Sequence, residues 1–288
     1  MATINSSHET IEDVILSHDK RGMTGLRPYL SPDFCTQASK FLYERKGTIF
    51  IVTGFYEIVP KVIETDGPPG ALAVGKALLQ IGHKVVYIVD KHGMPFLEPE
   101  SGGAEVIEFP FTTDERSKKF ASKLLKQYEP SAVLAIERCS VTKSGNYLNM
   151  SGQDISAYNA KTDYLFQLHQ HTVGVGDGGN EIGMGKLSDI IPTVPNLPQN
   201  PAITASTHLV IASVSNWGGY GIAAGLSILE GKDLLNSRDD ETDIINRMVE
   251  RGAVDGMHLT RIPSVDGFTL EENLEIIDRL HNVIQLEI

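Results

Sequence analysis

The chain of 288 residues has the composition of a globular protein, with 41% hydrophobic and 22% charged residues, and is long enough to bury a sizeable core. Its formal net charge of −12 argues against nucleic acid and anionic membranes as the main partners, because both surfaces are also negatively charged. The two cysteines, Cys35 and Cys139, provide neither a disulfide framework nor the paired spacing of a metal site, which is typical of a reducing compartment.

Residues 1–46 are predicted to form a helical arm that precedes the main fold. The arm begins with neither the apolar core of a signal peptide nor an Arg-rich transit pattern, and no apolar run in the chain approaches the roughly 20 residues that span a bilayer. We therefore expect a cytoplasmic protein. Ser6-x-x-Glu9 is a capping-box pattern that predicts a short amphipathic helix. The irregular segment that follows carries Arg21 and Arg27, which could neutralise an anionic ligand.

Short apolar runs alternate with helical patterns through the middle of the chain. The predicted strands are 48–52, 85–89, 104–109, 132–136, 172–175 and 208–214. Their repetition with intervening helices favours a doubly wound, mostly parallel α/β sheet with helices on both faces, a Rossmann-like arrangement of three layers. We expect residues 1–288 to form a single α/β domain with a helical C-terminal part at 239–288.

Polar residues follow these strands where the strands end. They are Thr53 with Gly54, Asp90, Glu137 with Arg138, Asp177, and Ser215 with Asn216. Ligands of such sheets bind outside the carboxyl ends of the strands, so these residues are expected to surround one site. Asn216 also opens a helix with Gly218 and Gly219, and the N-terminus of that helix would attract an anion.

The stretch GVGDGGNEIGMG at 174–185 is the most unusual part of the sequence, because half of its residues are glycine. Glycine permits left-handed backbone conformations and the close approach of a ligand. The turn offers Asp177, Asn180 and Glu181 as polar side chains, with Gly178 and Gly179 between them. It also matches a dinucleotide fingerprint, but Asp177 would repel a pyrophosphate. We therefore interpret the turn as a carboxylate-bearing site.

A second glycine-containing stretch, ETDGPPGA at 64–71, precedes a predicted helix. Its prolines preset the helix start, so the N–H groups near Gly67 would face a ligand above the sheet. Asp66 either caps this helix or takes part in chemistry, and Glu64 is the better functional candidate. Asp177, Glu181 and Glu64 could also hold a hard cation such as Mg²⁺ or Mn²⁺, although no cofactor is required by the sequence.

The loop 137–152 begins with Glu137 and Arg138 and also contains Asn146. Arg138 either pairs with Glu137 or binds a substrate carboxylate through two hydrogen bonds. The candidate groups are thus carboxylates and amides, with no sign of an activated thiol or a Ser-His-Asp arrangement. This set suits acid–base chemistry on a small carboxylate-bearing molecule.

Five stretches carry a family resemblance. They are TGF at 53–55, ETDGPPGA at 64–71, ER at 137–138 with GNYLNMSGQDIS at 145–156, GVGDGGNEIGMG at 174–185, and SNWGGYG at 215–221. Together they resemble the D-glutamate cyclase-like carboxy-terminal domain family, over a range from about residue 48 to residue 256. The resemblance implies a lyase that converts D-glutamate to 5-oxo-D-proline with loss of water.

That reaction would assign roles to the candidate residues. Asp177 or Glu181 is expected to take the amine proton, and a protonated Glu64 or Glu137 to protonate the leaving oxygen. The substrate-binding candidates are Gly54, Asp66, Gly67, Arg138, Asn146, Gly178, Gly179, Asn180, Asn216, Gly218 and Gly219.

Two other functions remain open from the sequence. One is a non-catalytic binding protein for a small carboxylate or phosphate metabolite, and the other is a nucleotide- or metal-dependent enzyme. The density of acids argues against a passive anion binder, because those acids would repel its ligand. The sequence leaves homo-oligomer formation open.

Overall fold

The computed structural model describes residues 8–288 and contains a central sheet of six strands. In chain order these are β1 (Thr48–Thr53), β2 (Lys84–Val89), β3 (Glu105–Glu108), β4 (Ala132–Ile136), β5 (Thr172–Gly176) and β6 (His208–Ile211). They lie in the order β3-β2-β1-β4-β5-β6, and every neighbouring pair is parallel. The strand order reverses between β1 and β4, which is where sheets of this type form a binding crevice.

Helices cover both faces of the sheet, which confirms the predicted three-layer, Rossmann-like fold. Side chains of β1 alternate between two hydrophobic cores: Ile49 and Ile51 face one, and Phe50 and Val52 face the other. Because both faces of the sheet are buried, its strands appear in the sequence as nearly continuous apolar runs. That is why the sequence located the inner strands, whereas the edge strand β3 has exposed glutamates at both ends.

The helices of the described residues are α1 (Ile11–Ile15), α2 (Phe34–Glu44), α3 (Pro68–Gln80), α4 (Met94–Leu97), α5 (Asp114–Tyr128), α6 (Asp163–Gln167), α7 (Ser215–Glu230), α8 (Arg238–Glu250) and α9 (Leu270–Glu287). α3 and α7 pack together against one face of the sheet, whereas α5 and α6 contribute to the core on the other face. Within residues 8–288, every helix is too short or too polar to cross a membrane.

α3 and α7 touch through glycine. A Cβ atom on Gly70 would lie 2.8 Å from Asn216 Cα, and one on Gly219 would lie 2.7 Å from Gly70 Cα. One on Gly218 would lie 2.5 Å from Val175 Cγ1 of β5. Gly218 and Gly219 therefore allow close packing of α7, which corrects their predicted role as ligand-binding residues.

The ends of several elements differ from the prediction. Ser6 lies outside the described residues, and α1 is capped by Thr10, which forms a capping box with Asp13. β6 ends before the predicted residue 214, because the Ser213 N–H donates to the carbonyl of Ile15 and the chain leaves the sheet.

Several short pieces were also not predicted. The arm contains a 3₁₀ helix at Met23–Tyr29. Two antiparallel pairs lie outside the central sheet: Tyr56–Glu57 with Val62–Ile63, and Ser264–Val265 with Phe268–Thr269 before α9.

Candidate active site

A cavity of about 290 Å³ lies at the carboxyl edge of the sheet. Five of the predicted site residues line it, namely Glu64, Glu137, Asp177, Asn180 and Glu181. Two further acids, Glu57 and Asp266, line it as well, together with the basic side chain of Arg21. Acids that are distant in the sequence therefore converge on one hollow.

Glu137 lies at the centre of this arrangement, directly after β4. Its backbone has a φ of 46°, in the left-handed region that residues with a side chain seldom adopt. Its Oε2 accepts a hydrogen bond of 2.6 Å from Ser215 Oγ. Gly67 makes room for it, since a Cβ there would lie 2.7 Å from the Glu137 Cβ. Unusual backbone conformations cluster at functional sites, so Glu137 is a strong candidate for a catalytic group.

Asp66 and Asp177 bind the N-terminus of α7. The Ser215 N–H donates to Asp66 Oδ2 at 2.9 Å and to Asp177 Oδ2 at 3.1 Å. The Asn216 N–H donates to Asp66 Oδ1 at 2.7 Å. The positive end of the helix dipole therefore faces protein carboxylates and not a ligand.

Asn216 and Gly67 join α3 to α7. Asn216 Oδ1 accepts hydrogen bonds from the Gly67 N–H at 2.9 Å and the Gly70 N–H at 2.8 Å, and its Nδ2 donates to the carbonyl of Thr65. Asn216 and Gly67 were expected to bind the substrate. The structure corrects that expectation, because their hydrogen bonds are used within the protein.

Glu181 holds the glycine turn together. Its carboxylate accepts hydrogen bonds from the N–H groups of Asp177 at 3.2 Å, Gly178 at 2.6 Å and Gly179 at 2.8 Å. The N–H groups of Gly178 and Gly179 are thus directed at Glu181, which corrects their predicted contact with substrate. Glu181 is better described as a residue that positions Asp177 than as a base.

Asn180 differs from its neighbours in the turn. Its side chain lines the cavity, and its Nδ2 donates to the carbonyl of Leu148 at 3.3 Å. Its Oδ1 is buried and has no hydrogen-bond partner among residues 8–288. A buried polar atom without a partner is costly, so Asn180 is suited to accept a hydrogen bond from a ligand.

Three further predicted substrate-binding residues, Gly54, Arg138 and Asn146, also lie outside the cavity. Arg138 is buried, where its Nη1 pairs with Asp90 at 2.7 Å and donates to the carbonyl of Gly54 at 2.8 Å, and its Nη2 donates to the carbonyl of Ala160. Asn146 instead forms hydrogen bonds within its own loop. Arg138, Gly54 and Asn146 thus organise loops, which corrects the roles predicted for them.

The sequence did not distinguish Arg21 from Arg27, and it gave no sign of Asp266 or Glu57. Of the two arginines in the irregular segment after α1, Arg21 reaches the cavity, whereas Arg27 pairs with Asp13 at the surface. Asp266 lies at the tip of the hairpin before α9, with a φ of 53°. Its Asp-Gly sequence signals a hairpin turn but gives no sign of a chemical role. Glu57 lies in a strand of two residues and has no distinguishing sequence signal.

Burial and neighbouring negative charges raise the pKa of carboxyl groups in and beside the cavity. Burial, followed by the charge of Asp266, raises the pKa of Glu64 well above its usual range. Burial and the nearby Asp177 do the same to the pKa of Glu137. Burial raises the pKa of Asp66 and of Glu57 to about 7. The shifts favour the protonated forms of Glu64 and Glu137 near neutral pH, and they bring the pKa of Glu57 and of Asp66 close to neutral, which suits proton transfer.

The raised pKa of Glu57 predicts a pH-dependent stability. The protonated form is favoured in the folded state, so its contribution is complete below an unfolded-state pKa of 4.5 and is lost as the pH rises through about 7. The difference in unfolding free energy between Glu57→Gln and wild type should therefore shift in favour of the variant when the pH is raised from about 5 to about 8. The expected shift is roughly 1–2 kcal/mol, after a discount for the partial exposure of Glu57. Denaturant unfolding at both pH values measures this.

Glu108→Gln is the matched control, because Glu108 is exposed at the end of β3. It should show the same difference from wild type at both pH values. A pH-independent effect of Glu57→Gln would contradict the raised pKa.

Three carboxylates could approach a metal ion. Oxygen atoms of Asp66, Glu137 and Asp177 lie within 4.8 Å of one another. The predicted set was Asp177, Glu181 and Glu64, but the carboxylate of Glu181 is occupied by the glycine turn. Asp66 and Asp177 likewise accept hydrogen bonds from α7. A divalent cation remains a prediction, and no reaction step below depends on one.

The fold and the cavity define an α/β protein with a Rossmann-like sheet and an acid-lined site at its carboxyl edge. The chain belongs to the D-glutamate cyclase-like, C-terminal family, whose family model matches residues 11–281. It is 30% identical over 252 residues to a human protein named D-glutamate cyclase, mitochondrial. The match covers 80% of this chain but only 40% of the human protein.

Solved structures show weaker likeness. MurG of Acinetobacter baumannii has a TM-score of 0.33 and 13% identity, over 59% of this chain and 46% of its own. The Cj0485 dehydrogenase has a TM-score of 0.29 and 10% identity, over 84% of this chain and 91% of its own. Scores this low carry no argument about function.

Proposed function

We propose that this protein is a lyase of the D-glutamate cyclase type, which converts D-glutamate to 5-oxo-D-proline and water. Family membership and the human relative support this substrate. The observation that carries the proposal is the convergence of Glu64, Glu137 and Asp177, from three separate segments, on one cavity.

The main chemical requirement of the reaction is the transfer of protons from the nitrogen to the departing oxygen. The amine nitrogen attacks the γ-carboxyl carbon, forming the lactam C–N bond, and a C–O bond then breaks. Starting from the ammonium form, nitrogen loses two protons and the departing oxygen gains two, so the reaction releases water with no net uptake of protons. A site for this chemistry needs one group that accepts protons and one that donates them.

The geometry distinguishes the candidates for these roles. We assign Asp177 as the group that accepts the amine proton, since Glu181 is already engaged by backbone N–H groups. Burial raises the pKa of Asp177, Glu137 and Glu64, but Asp177 pairs with Arg21, which opposes that rise and favours its ionised form. Glu137 and Glu64 form no ion pair among residues 8–288 and are therefore assigned as proton donors to the departing oxygen. Asn180 Oδ1 is available to accept a hydrogen bond from the substrate ammonium.

The glycine turn and the N-terminus of α7 give no support to the binding-protein alternative. It required glycine-turn and helix N–H groups to hold an anion, yet those groups donate to Glu181, Asp66 and Asp177. The expected cytoplasmic location and a homo-oligomeric state remain predictions.

Turnover of D-glutamate tests the proposal. The purified protein is incubated with D-glutamate or L-glutamate, with and without Mg²⁺ or Mn²⁺, and 5-oxoproline is measured by chiral chromatography. We expect the protein to form 5-oxo-D-proline from D-glutamate and to form no 5-oxoproline from L-glutamate. Absence of that product under all these conditions would refute the function.

Asp177→Asn tests the assigned proton acceptor. The amide cannot take the amine proton, so turnover of D-glutamate should fall by about 100-fold or more. Asp189→Asn is the control, because Asp189 is exposed and follows the same turn. If Asp177→Asn folds and keeps full turnover, the role assigned to Asp177 is wrong.

A further inference from the structure

The N-terminal arm delivers Arg21 to the cavity in a fixed position. The carboxylate of Asp19 accepts hydrogen bonds from the N–H groups of Arg21, Gly22, Met23 and Thr24. The ammonium group of Lys20 lies 3.3 Å from the centre of the Phe268 ring, in the hairpin that carries Asp266. These contacts fix the backbone on both sides of Arg21, which itself is mostly buried.

Arg21 is the one basic residue among the described residues that line the cavity. Every other charged lining residue is acidic. The buried Arg138 does not line the cavity, and it pairs with Asp90 and with backbone carbonyls instead. Among the charged side chains that line the cavity, Arg21 is therefore the one that would attract a ligand carboxylate.

The guanidinium of Arg21 has hydrogen-bonding capacity left over. Its Nη1 forms ion pairs with Asp177 Oδ1 at 2.5 Å and with Asp266 Oδ2 at 2.9 Å, so this nitrogen faces two protein carboxylates. Nη2 contacts only the sulfur of Met257, at 3.8 Å, and Nε has no hydrogen-bond partner among residues 8–288. An arginine with these N–H groups available can bind a carboxylate through two parallel hydrogen bonds.

We propose that Arg21 binds the α-carboxylate of the substrate through its Nε and Nη2 groups, while Nη1 keeps Asp177 and Asp266 in place. This inference rests on the proposed function for the identity of the substrate. It places the α-carboxylate beside Asp177, the residue assigned to accept the proton of the adjacent amine. The arm before the sheet thus supplies the residue that selects an amino acid over a simple amine.

The test compares two ligands that differ only in the carboxylate. Calorimetry measures binding of 5-oxo-D-proline and of 2-pyrrolidinone, which lacks the carboxylate, to wild type, Arg21→Met and Arg21→Lys. Wild type should prefer 5-oxo-D-proline. Arg21→Met should weaken its binding by roughly 10- to 100-fold, as expected for loss of a charge-assisted pair, and should leave 2-pyrrolidinone binding unchanged. Arg21→Lys keeps the positive charge beside Asp177 and Asp266, so it should fold. Its affinity for 5-oxo-D-proline should lie between those of wild type and Arg21→Met.

Arg27→Met is the matched control, since Arg27 lies in the same arm but pairs with Asp13 at the surface. It should bind both ligands as wild type does. The inference would be overturned if the folded Arg21 variants bound both ligands more weakly by the same factor. It would also be overturned if wild type bound 5-oxo-D-proline no more tightly than 2-pyrrolidinone. Wild type that binds 5-oxo-D-proline but does not turn over D-glutamate would refute the proposed function while leaving the role of Arg21 intact.

Discussion

Glu137→Gln should lower turnover of D-glutamate by about 1000-fold while leaving the fold intact, because a glutamine amide keeps the shape of the side chain but cannot supply the proton. The buried carboxyl of Glu137 has a raised pKa, so its ionisation opposes folding near neutral pH. The variant should thus be at least as stable as wild type at about pH 8. Product formation and thermal unfolding, measured on the same preparation, check both statements.

Glu108→Gln provides the comparison for this variant as well. Glu108 also lies at the end of a sheet strand, but it is exposed and lies outside the cavity. It should retain wild-type turnover. If Glu137→Gln keeps more than about a tenth of the wild-type rate, Glu137 does not provide general acid catalysis on the expected scale.

Gly67→Ala should cause the largest loss of stability among the substitutions considered. The new Cβ would lie 2.7 Å from Glu137 Cβ and 2.9 Å from Thr53 Oγ1, and the backbone at Gly67 has a φ of 96°. Overpacking and a left-handed backbone each carry a penalty, so the free energy of unfolding should fall by about 3 kcal/mol or more. Displacement of Glu137 should also reduce turnover by about 100-fold. Denaturant unfolding and product formation measure the two effects.

Gly82→Ala separates the two causes of that loss. Gly82 has a similar φ of 89°, but a Cβ there would meet no atom within 4 Å. It should lose only about 1–2 kcal/mol, the cost of the left-handed backbone, and should keep full turnover. Equal stability losses in the two variants would show that the contact with Glu137 and Thr53 is unimportant.

The sequence predicted the parts of the site that depend on strand ends. Each buried strand appears as an apolar run, and Glu137 and Asp177 come directly after such runs. Parallel strands end at one edge, so the convergence of these acids followed from the fold. Glu64 was proposed for a different reason, because it lies just before the predicted start of α3.

The roles of glycines and neighbouring side chains required the structure. Gly218 and Gly219 suggested a ligand, but close packing between helices uses glycine for the same steric reason. Glu137 and Arg138 are adjacent, yet one lines the cavity and the other pairs with Asp90 in the interior. The left-handed backbone at Glu137 removes the simple alternation that would have indicated which side chain faces the site.

Residues brought in by short or irregular segments could not be predicted. Asp266 reaches the cavity through a hairpin far along the chain, and Glu57 through a strand of two residues. Neither segment has a periodicity that relates it to the sheet. Arg21 was recognised as a cation, but only tertiary contacts distinguish it from Arg27.

The most direct test follows the oxygen atoms of the substrate. Wild-type protein is incubated with D-glutamate that carries ¹⁸O at both oxygens of the γ-carboxylate, and the masses of the products are measured by mass spectrometry. Loss of water from that group predicts 5-oxo-D-proline that retains a single ¹⁸O, with the other label released into water. Recovery of doubly labelled D-glutamate without 5-oxo-D-proline would contradict the proposal that this acid-lined cavity carries out the cyclisation.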